Sequence, residues 1–207
     1  MTDRLPATTD GLAAAADILG GGGLVAFPTD TVYGLGCAVA RPEAIESIFA
    51  LKRRPAEKRV AILLGGLPEV DAEAWVVDGR ATALTERFWP GALSLVLPSR
   101  FEADGTQSFR APDHRVALDL LATAGPMYVT SANISNEPDT LDADDVLIAF
   151  ATQPDGLAAV VDGGRVPGGT PSTVLDLSVT PARILRPGPV TPAMLAEVVE
   201  LAPAPID

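Results

Sequence analysis

Apolar and polar positions follow one another in short blocks along the chain, and the blocks predict its elements. Residues 24–27 (LVAF) form an apolar run between glycines 21–23 and Pro28, the pattern of a buried strand. A helix is predicted over 10–19, with Asp10 as its cap and Gly20 as its end. A second is predicted over 42–51, with Pro42 in its first turn, Ile45, Ile48 and Phe49 at helical spacing, and Pro55 as its stop. Residues 60–64 read as an inner strand and 67–74 as a short helix. A helix over 78–88 is capped by Asp78, and a strand over 93–97 follows the turn Trp89-Pro90-Gly91. Residues 107–110 read as an edge strand because Pro112 follows closely. Asp113 opens a helix running to 122, and strands follow at 127–130, 158–162, 172–177 and 183–185. A helix over 142–150, and one capped by Thr191 and begun by Pro192, complete the set.

Strands and helices mix without strict alternation. That predicts an α/β fold with a twisted mixed β-sheet and flanking helices, rather than a doubly wound parallel sheet. No internal repeat and no long linker divides the chain. A single domain over 1–207 is expected, with a core of about 10–200 and a flexible tail over 202–207.

Composition narrows the function classes. The 207 residues are 47% apolar and 20% charged, which argues against disorder. No apolar run reaches membrane-spanning length, and the N-terminus lacks a secretory pattern, so a cytoplasmic protein is expected, with no membrane partner. One cysteine, Cys37, and one histidine, His114, exclude an intramolecular disulfide and argue against a His/Cys metal site. His114 is more readily structural than catalytic, and Cys37 reads as a small buried residue. A net charge of −12 implies weak or no direct nucleic-acid binding. The exception is a cationic cluster, Lys52, Arg53, Arg54, Lys58 and Arg59. It is either a solvated helix end or a site for one small polyanion.

The stretch 21–36 (GGGLVAFPTDTVYGLG) matches a relaxed dinucleotide fingerprint. Its glycines precede the strand instead of joining strand to helix, so that assignment is rejected. No Walker-type phosphate loop exists. Several strands instead finish or begin in polar residues: Thr29-Asp30-Thr31, Arg110, Thr130-Ser131-Ala132-Asn133, Ser172-Thr173 and Arg186. Each alone suits an ordinary turn or a surface. Together they describe a hollow of hydroxyls, an amide and cations, fit for a ligand carrying phosphates and a carboxylate.

The segments FPTDTVYGLG (27–36), LKRRPAEK (51–58), FWPGALSLVLP (88–98), FRAPDH (109–114), TSANISNEP (130–138), PSTVLDL (171–177) and ILRPG (184–188) come in one order. In that order they resemble the YrdC-like family of threonylcarbamoyl-AMP synthases, in its short, single-domain form. The resemblance implies a twisted sheet around a large concave cleft. It implies condensation of L-threonine, bicarbonate and ATP to threonylcarbamoyl-AMP and pyrophosphate, with Mg2+ on the triphosphate and no dedicated protein ligands for it. The partner it implies is downstream machinery that transfers the threonylcarbamoyl group to tRNA.

Carried over by position, Lys52 and Arg54 resemble the catalytic pair facing the phosphates and the developing carbamate. Thr31, Leu63, Arg110, Ser131 and Ser172 resemble the L-threonine site, with Arg110 on the carboxylate. Arg54, Lys58, Thr106, Asn133, Thr140 and Arg186 resemble ATP contacts. Where the family usually has glycine, this chain has Asn136, a residue that tolerates left-handed backbone. The competing expectation is a non-catalytic RNA-binding or ribosome-associated module on the same fold.

Overall fold

The computed structural model describes residues 2–53, 60–153 and 156–203. Among them, ten strands form one mixed sheet. They are β1 (Asp3–Pro6), β2 (Val25–Phe27), β3 (Gly34–Ala38), β4 (Ala61–Leu63), β5 (Leu93–Pro98), β6 (Thr106–Arg110), β7 (Met127–Ser131), β8 (Ala159–Asp162), β9 (Thr173–Asp176) and β10 (Arg183–Arg186). Their order across the sheet is β1-β8-β2-β3-β7-β4-β6-β5-β9-β10. β3 and β7 run antiparallel in the middle, whereas β2 with β8, β4 with β6, and β5 with β9 run parallel. The flanking helices are α1 (Thr9–Gly20), α2 (Ile45–Lys52), α3 (Gly79–Phe88), α4 (Arg115–Ala124), α5 (Ala143–Ala149) and α6 (Pro192–Ala196). No helix among the described residues is long and apolar enough to cross a membrane.

β2 shows why its sequence is apolar without interruption. Val25 and Phe27 pack with Leu12, Ala15 and Leu19 of α1 and Leu120 of α4. Leu24 and Ala26 pack on the other side with Ile48 of α2 and Val146 of α5. A strand covered on both faces has no polar side to show. β5 behaves differently. Leu93, Leu95 and Leu97 enter a third cluster with Leu84 and Phe88 of α3, while Ser94 and Val96 alternate with them and face a cleft.

Several boundaries differ from the sequence-based expectation. α1 is capped by Thr8, whose hydroxyl accepts from the Gly11 amide at 3.3 Å, and Asp10 lies inside its first turn. α4 begins one residue after His114, and Asp113 does not cap it. Residues 67–74 form one 3-10 turn, Leu67–Glu69, rather than a helix. β6 is not an edge strand: it pairs with β4 on one side and β5 on the other. Pro112 stands beyond its last residue, so the missing N–H falls outside the ladder.

β1 and β3 are strands that the sequence pattern did not predict. β1 is polar and exposed, and only its pairing with β8 makes it a strand. β3 reads GLGCA, a poor strand sequence by propensity. A Cβ at Gly34 would lie 2.9 Å from Cγ1 of Val129, and one at Gly36 would lie 3.1 Å from its Cγ2. The glycines leave the room that Val129 and Phe27 fill.

Candidate active site

A cleft of about 600 Å³ opens on the sheet, lined by the turn after β2 and by residues of β4 to β7, β9 and β10. The first wall is the segment 28–33. Thr29 folds it locally: its hydroxyl donates to the Val32 carbonyl at 2.7 Å and accepts from the Thr31 amide at 3.3 Å. Tyr33 then reaches across the sheet. Its hydroxyl donates to the Gly164 carbonyl at 2.8 Å and accepts from the Gly163 amide at 3.3 Å, tying the Gly/Pro loop to this wall. Burial pushes the Tyr33 phenol up to about 12, so it stays a neutral tether.

Arg110 closes β6 with its guanidinium held in place. Nε donates to the Gly91 carbonyl at 2.9 Å, Nη1 reaches Thr31 Oγ1 at 3.4 Å, and Nη2 bonds the Asp30 carboxylate. Burial pulls the Arg110 pKa down, and the charge of Asp30 pulls it back up. A guanidinium does not give up its proton in a protein, so the group remains a cation.

On the far wall, Ser172 precedes β9. Arg186 donates through Nε to its carbonyl at 3.0 Å and through Nη2 to its hydroxyl at 3.1 Å. The Ser172 hydroxyl also lies 2.9 Å from that of Ser94. This segment rests directly on Gly188, where a Cβ would come 2.4 Å from the Thr173 nitrogen and 2.5 Å from the Pro171 carbonyl oxygen. Arg186 is lowered in pKa, first by burial and then by the charge of Arg110. The two guanidinium groups therefore feel each other across the cleft.

Of the residues singled out in the sequence, Thr31, Leu63, Thr106, Arg110, Ser131, Ser172 and Arg186 line this one cleft. Asn133, Thr140 and Lys52 are buried and do not line it. They brace the segment after β7 instead. Asn133 Oδ1 accepts from the Ser131 hydroxyl at 2.7 Å, and its Nδ2 donates to the Glu137 carbonyl at 2.6 Å. Thr140 Oγ1 donates to the Ala132 carbonyl at 3.0 Å. Lys52, at the end of α2, sends its ammonium to the carbonyls of Ser131 and Asn133 and to Asn133 Oδ1. Asn136 takes the left-handed backbone with φ +71°, as its residue type allows. Arg54 and Lys58 lie outside the described residues. His114 is half-buried away from the lining, and Cys37 is fully buried, with its thiol pushed up to about 11 by burial.

Two lining or supporting residues were not singled out beforehand. Asp30 was visible only as part of a polar cluster, because nothing local says that it meets Arg110. Ser94 carried a signal that could have been used: it is a lone hydroxyl inside LSLVL, on the face opposite the three leucines.

The profile of the Sua5/YciO/YrdC family, described as telomere recombination, matches residues 17–188. The chain belongs to this family. A Mycobacterium leprae relative is 38% identical over 201 residues, covering 94% of this chain and 90% of that protein. The threonylcarbamoyl-AMP synthase of Bacillus subtilis is 34% identical over 209 residues, covering 96% of this chain and 59% of that protein. The crystal structure of Pyrococcus abyssi Sua5 complexed with L-threonine superposes with a TM-score of 0.86 at 33% identity, covering 99% of this chain and 63% of that one. The chain thus spans about three-fifths of these two longer proteins.

Proposed function

We propose that the cleft condenses L-threonine, bicarbonate and ATP to threonylcarbamoyl-AMP and pyrophosphate. The observation that carries this reading is the convergence of Thr31, Arg110, Ser131 and Ser172, from four separate segments, on one cleft in a Sua5-family fold. The relatives support it: the Bacillus protein is named for this activity, and the Pyrococcus structure holds L-threonine.

The chemistry asks for placement and charge neutralisation. The threonine nitrogen bonds to the bicarbonate carbon with loss of water and a proton. A carbamate oxygen then displaces pyrophosphate from the α-phosphorus of ATP. The AMP moiety is the group transferred, so the enzyme is a nucleotidyltransferase. No protein nucleophile takes part. Two anions must be held against each other, which positioned cations and hydroxyls do well.

In this scheme Arg110 receives the threonine carboxylate in a fork of N–H donors. Thr31, Ser131 and Ser172 orient the amino acid, and Leu63 supplies an apolar contact. Arg186 and Thr106 serve the nucleotide, with Arg54 and Lys58 as further cations for the triphosphate. Lys52, Asn133 and Thr140 hold the Ser131 segment from behind, and their effect on ATP passes through that segment. Mg2+ enters as part of the ATP substrate. It takes oxygen ligands, which the phosphates supply, and no dedicated protein ligand is assigned to it. The product serves a separate enzyme acting on tRNA.

The test is pyrophosphate release from ATP and bicarbonate, with and without L-threonine. Threonine-dependent release is the expected result. Salt-sensitive RNA affinity with no ATP turnover would instead mark a non-catalytic RNA module.

A further inference from the structure

Ser94 sits in the middle of a strand that is otherwise apolar. It is almost fully buried, at 5% exposure, yet it belongs to the cleft lining beside Ser172. Burying a hydroxyl is unfavourable unless it is hydrogen-bonded, and the partner here is Ser172 Oγ at 2.9 Å.

The hydrogen-bond inventory of Ser172 sets what that bond leaves over for a ligand, and it allows two directions. A hydroxyl has one proton to give and two lone pairs to accept with. Arg186 Nη2 occupies one lone pair, and a guanidinium can only donate. One proton and one lone pair remain, shared between Ser94 and whatever enters the cleft. If Ser94 donates, the Ser172 proton is free to meet an acceptor. If Ser172 donates to Ser94, it can offer the cleft only a lone pair, fit for a donor such as an ammonium. Arg186 bonds this hydroxyl directly, so a guanidinium is the charge in contact with it, and the charges of Arg110 and Asp139 act on that guanidinium in opposite senses. A ligand cation would be repelled at that spot, and an anionic oxygen drawn in.

We propose that Ser94 is a positioning residue: it donates to Ser172 and so turns the Ser172 proton toward a carboxylate oxygen of the bound amino acid. This rests on the reading above, in which Ser172 contacts threonine. Ser94 itself does not touch the substrate. The relay makes the site select an amino acid with a free carboxylate, beyond the selection Arg110 supplies.

The experiment compares wild-type protein, Ser94→Ala and Ser94→Thr. It measures binding of L-threonine and of 1-aminopropan-2-ol, its analogue without the carboxyl group, by calorimetry, together with the steady-state constants for pyrophosphate release. Ser94→Ala should weaken L-threonine binding by about tenfold, in line with the loss of one buried hydrogen bond, and raise the KM for threonine more than it lowers kcat. The preference for threonine over 1-aminopropan-2-ol should shrink by the same factor. Ser94→Thr, which restores the hydroxyl, should return both toward wild type.

Unchanged threonine affinity in Ser94→Ala overturns the relay. Equal loss of affinity for threonine and 1-aminopropan-2-ol also overturns it, because that marks a general packing effect. Should Ser94→Ala fail to fold, Ser94→Cys has a similar shape with a weaker donor, and the same comparison applies. Wild-type protein that does not bind L-threonine overturns the functional reading and the relay together. Wild-type protein that turns over with threonine but ignores changes at Ser94 overturns the relay alone.

Discussion

The Asp30 carboxylate bonds the Arg110 guanidinium in a buried ion pair, with side-chain exposures of 14% and 8%. The two residues stand 80 positions apart in the sequence. Asp30 does not line the cleft, whereas Arg110 does. The pair therefore anchors the cation, and with three of its five N–H groups bonded to Gly91, Thr31 and Asp30 the guanidinium has two left for a ligand.

Asp30→Asn should destabilise the protein by about 3–5 kcal/mol, because it leaves a buried cation without its counter-charge. Asp30→Asn combined with Arg110→Met should recover part of that loss, since no buried charge remains. Denaturant midpoints of the two single variants and the double variant check this coupling. For activity, Arg110→Lys is a cleaner probe than Arg110→Ala, which would leave Asp30 uncompensated. Losing the fork while keeping the charge should lower threonine-dependent pyrophosphate release by roughly ten- to a hundredfold.

Lys52 and Arg53 are neighbours with opposite situations. Lys52 is buried against the carbonyls of Ser131 and Asn133, while Arg53 is exposed at the end of α2 with φ +51°. Lys52→Met keeps the aliphatic stem and strands those acceptors, so it should cost about 1–3 kcal/mol and impair turnover. Arg53→Ala should impair turnover far less. Equal kinetic effects of the two changes would mean that the cations act only as diffuse charge.

Gly188 touches the backbone that carries Ser172. A methyl group there has nowhere to go, because the opposing atoms are backbone. Gly188→Ala should therefore raise the KM for threonine by displacing Ser172, with a loss of stability. Gly79, at the start of α3, has no heavy atom within 4 Å of a built Cβ. Gly79→Ala should be neutral or stabilising by up to about 1 kcal/mol. Thermal unfolding and threonine kinetics of both variants separate the two cases.

His114 has a buried Nδ1 that lacks a hydrogen-bond partner among the described residues. Burial pushes its pKa below the ordinary 6.5, against the pull of Asp30 and Asp113. The unfolded chain then binds more protons than the folded one in the window below 6.5. The contribution of His114 is complete above that value and is lost as the pH falls from it toward the folded pKa. Between about pH 7 and pH 5, wild-type protein should lose more stability than His114→Gln. Denaturant midpoints at the two pH values test the sign.

Much of the sheet was legible in advance because its strands carry their own apolar pattern. The run LVAF needed no context, and the alternation of LSLVL placed three leucines on one face. β3 was not legible, since glycines carry no strand signal and their reason is Val129 on another strand. The interior position of β6 is not legible locally, because Pro112 lies close to the strand yet outside the ladder that pairs it with β4 and β5. In the site, the hydroxyls and arginines at strand ends could be found by residue type, but neither Asp30 nor the direction of Lys52 could.

By itself the sequence determined the kinds of groups available: hydroxyls, guanidinium groups and amides at strand ends, no paired cysteines, and an order of segments that marks the family. These follow from local pattern and composition, which chain order preserves. Tertiary structure alone decided which cation faces the cleft and which is turned inward, and which carboxylate holds Arg110. Those outcomes depend on contacts between residues far apart in the chain, and such contacts exist only once the strands have taken their order in the sheet.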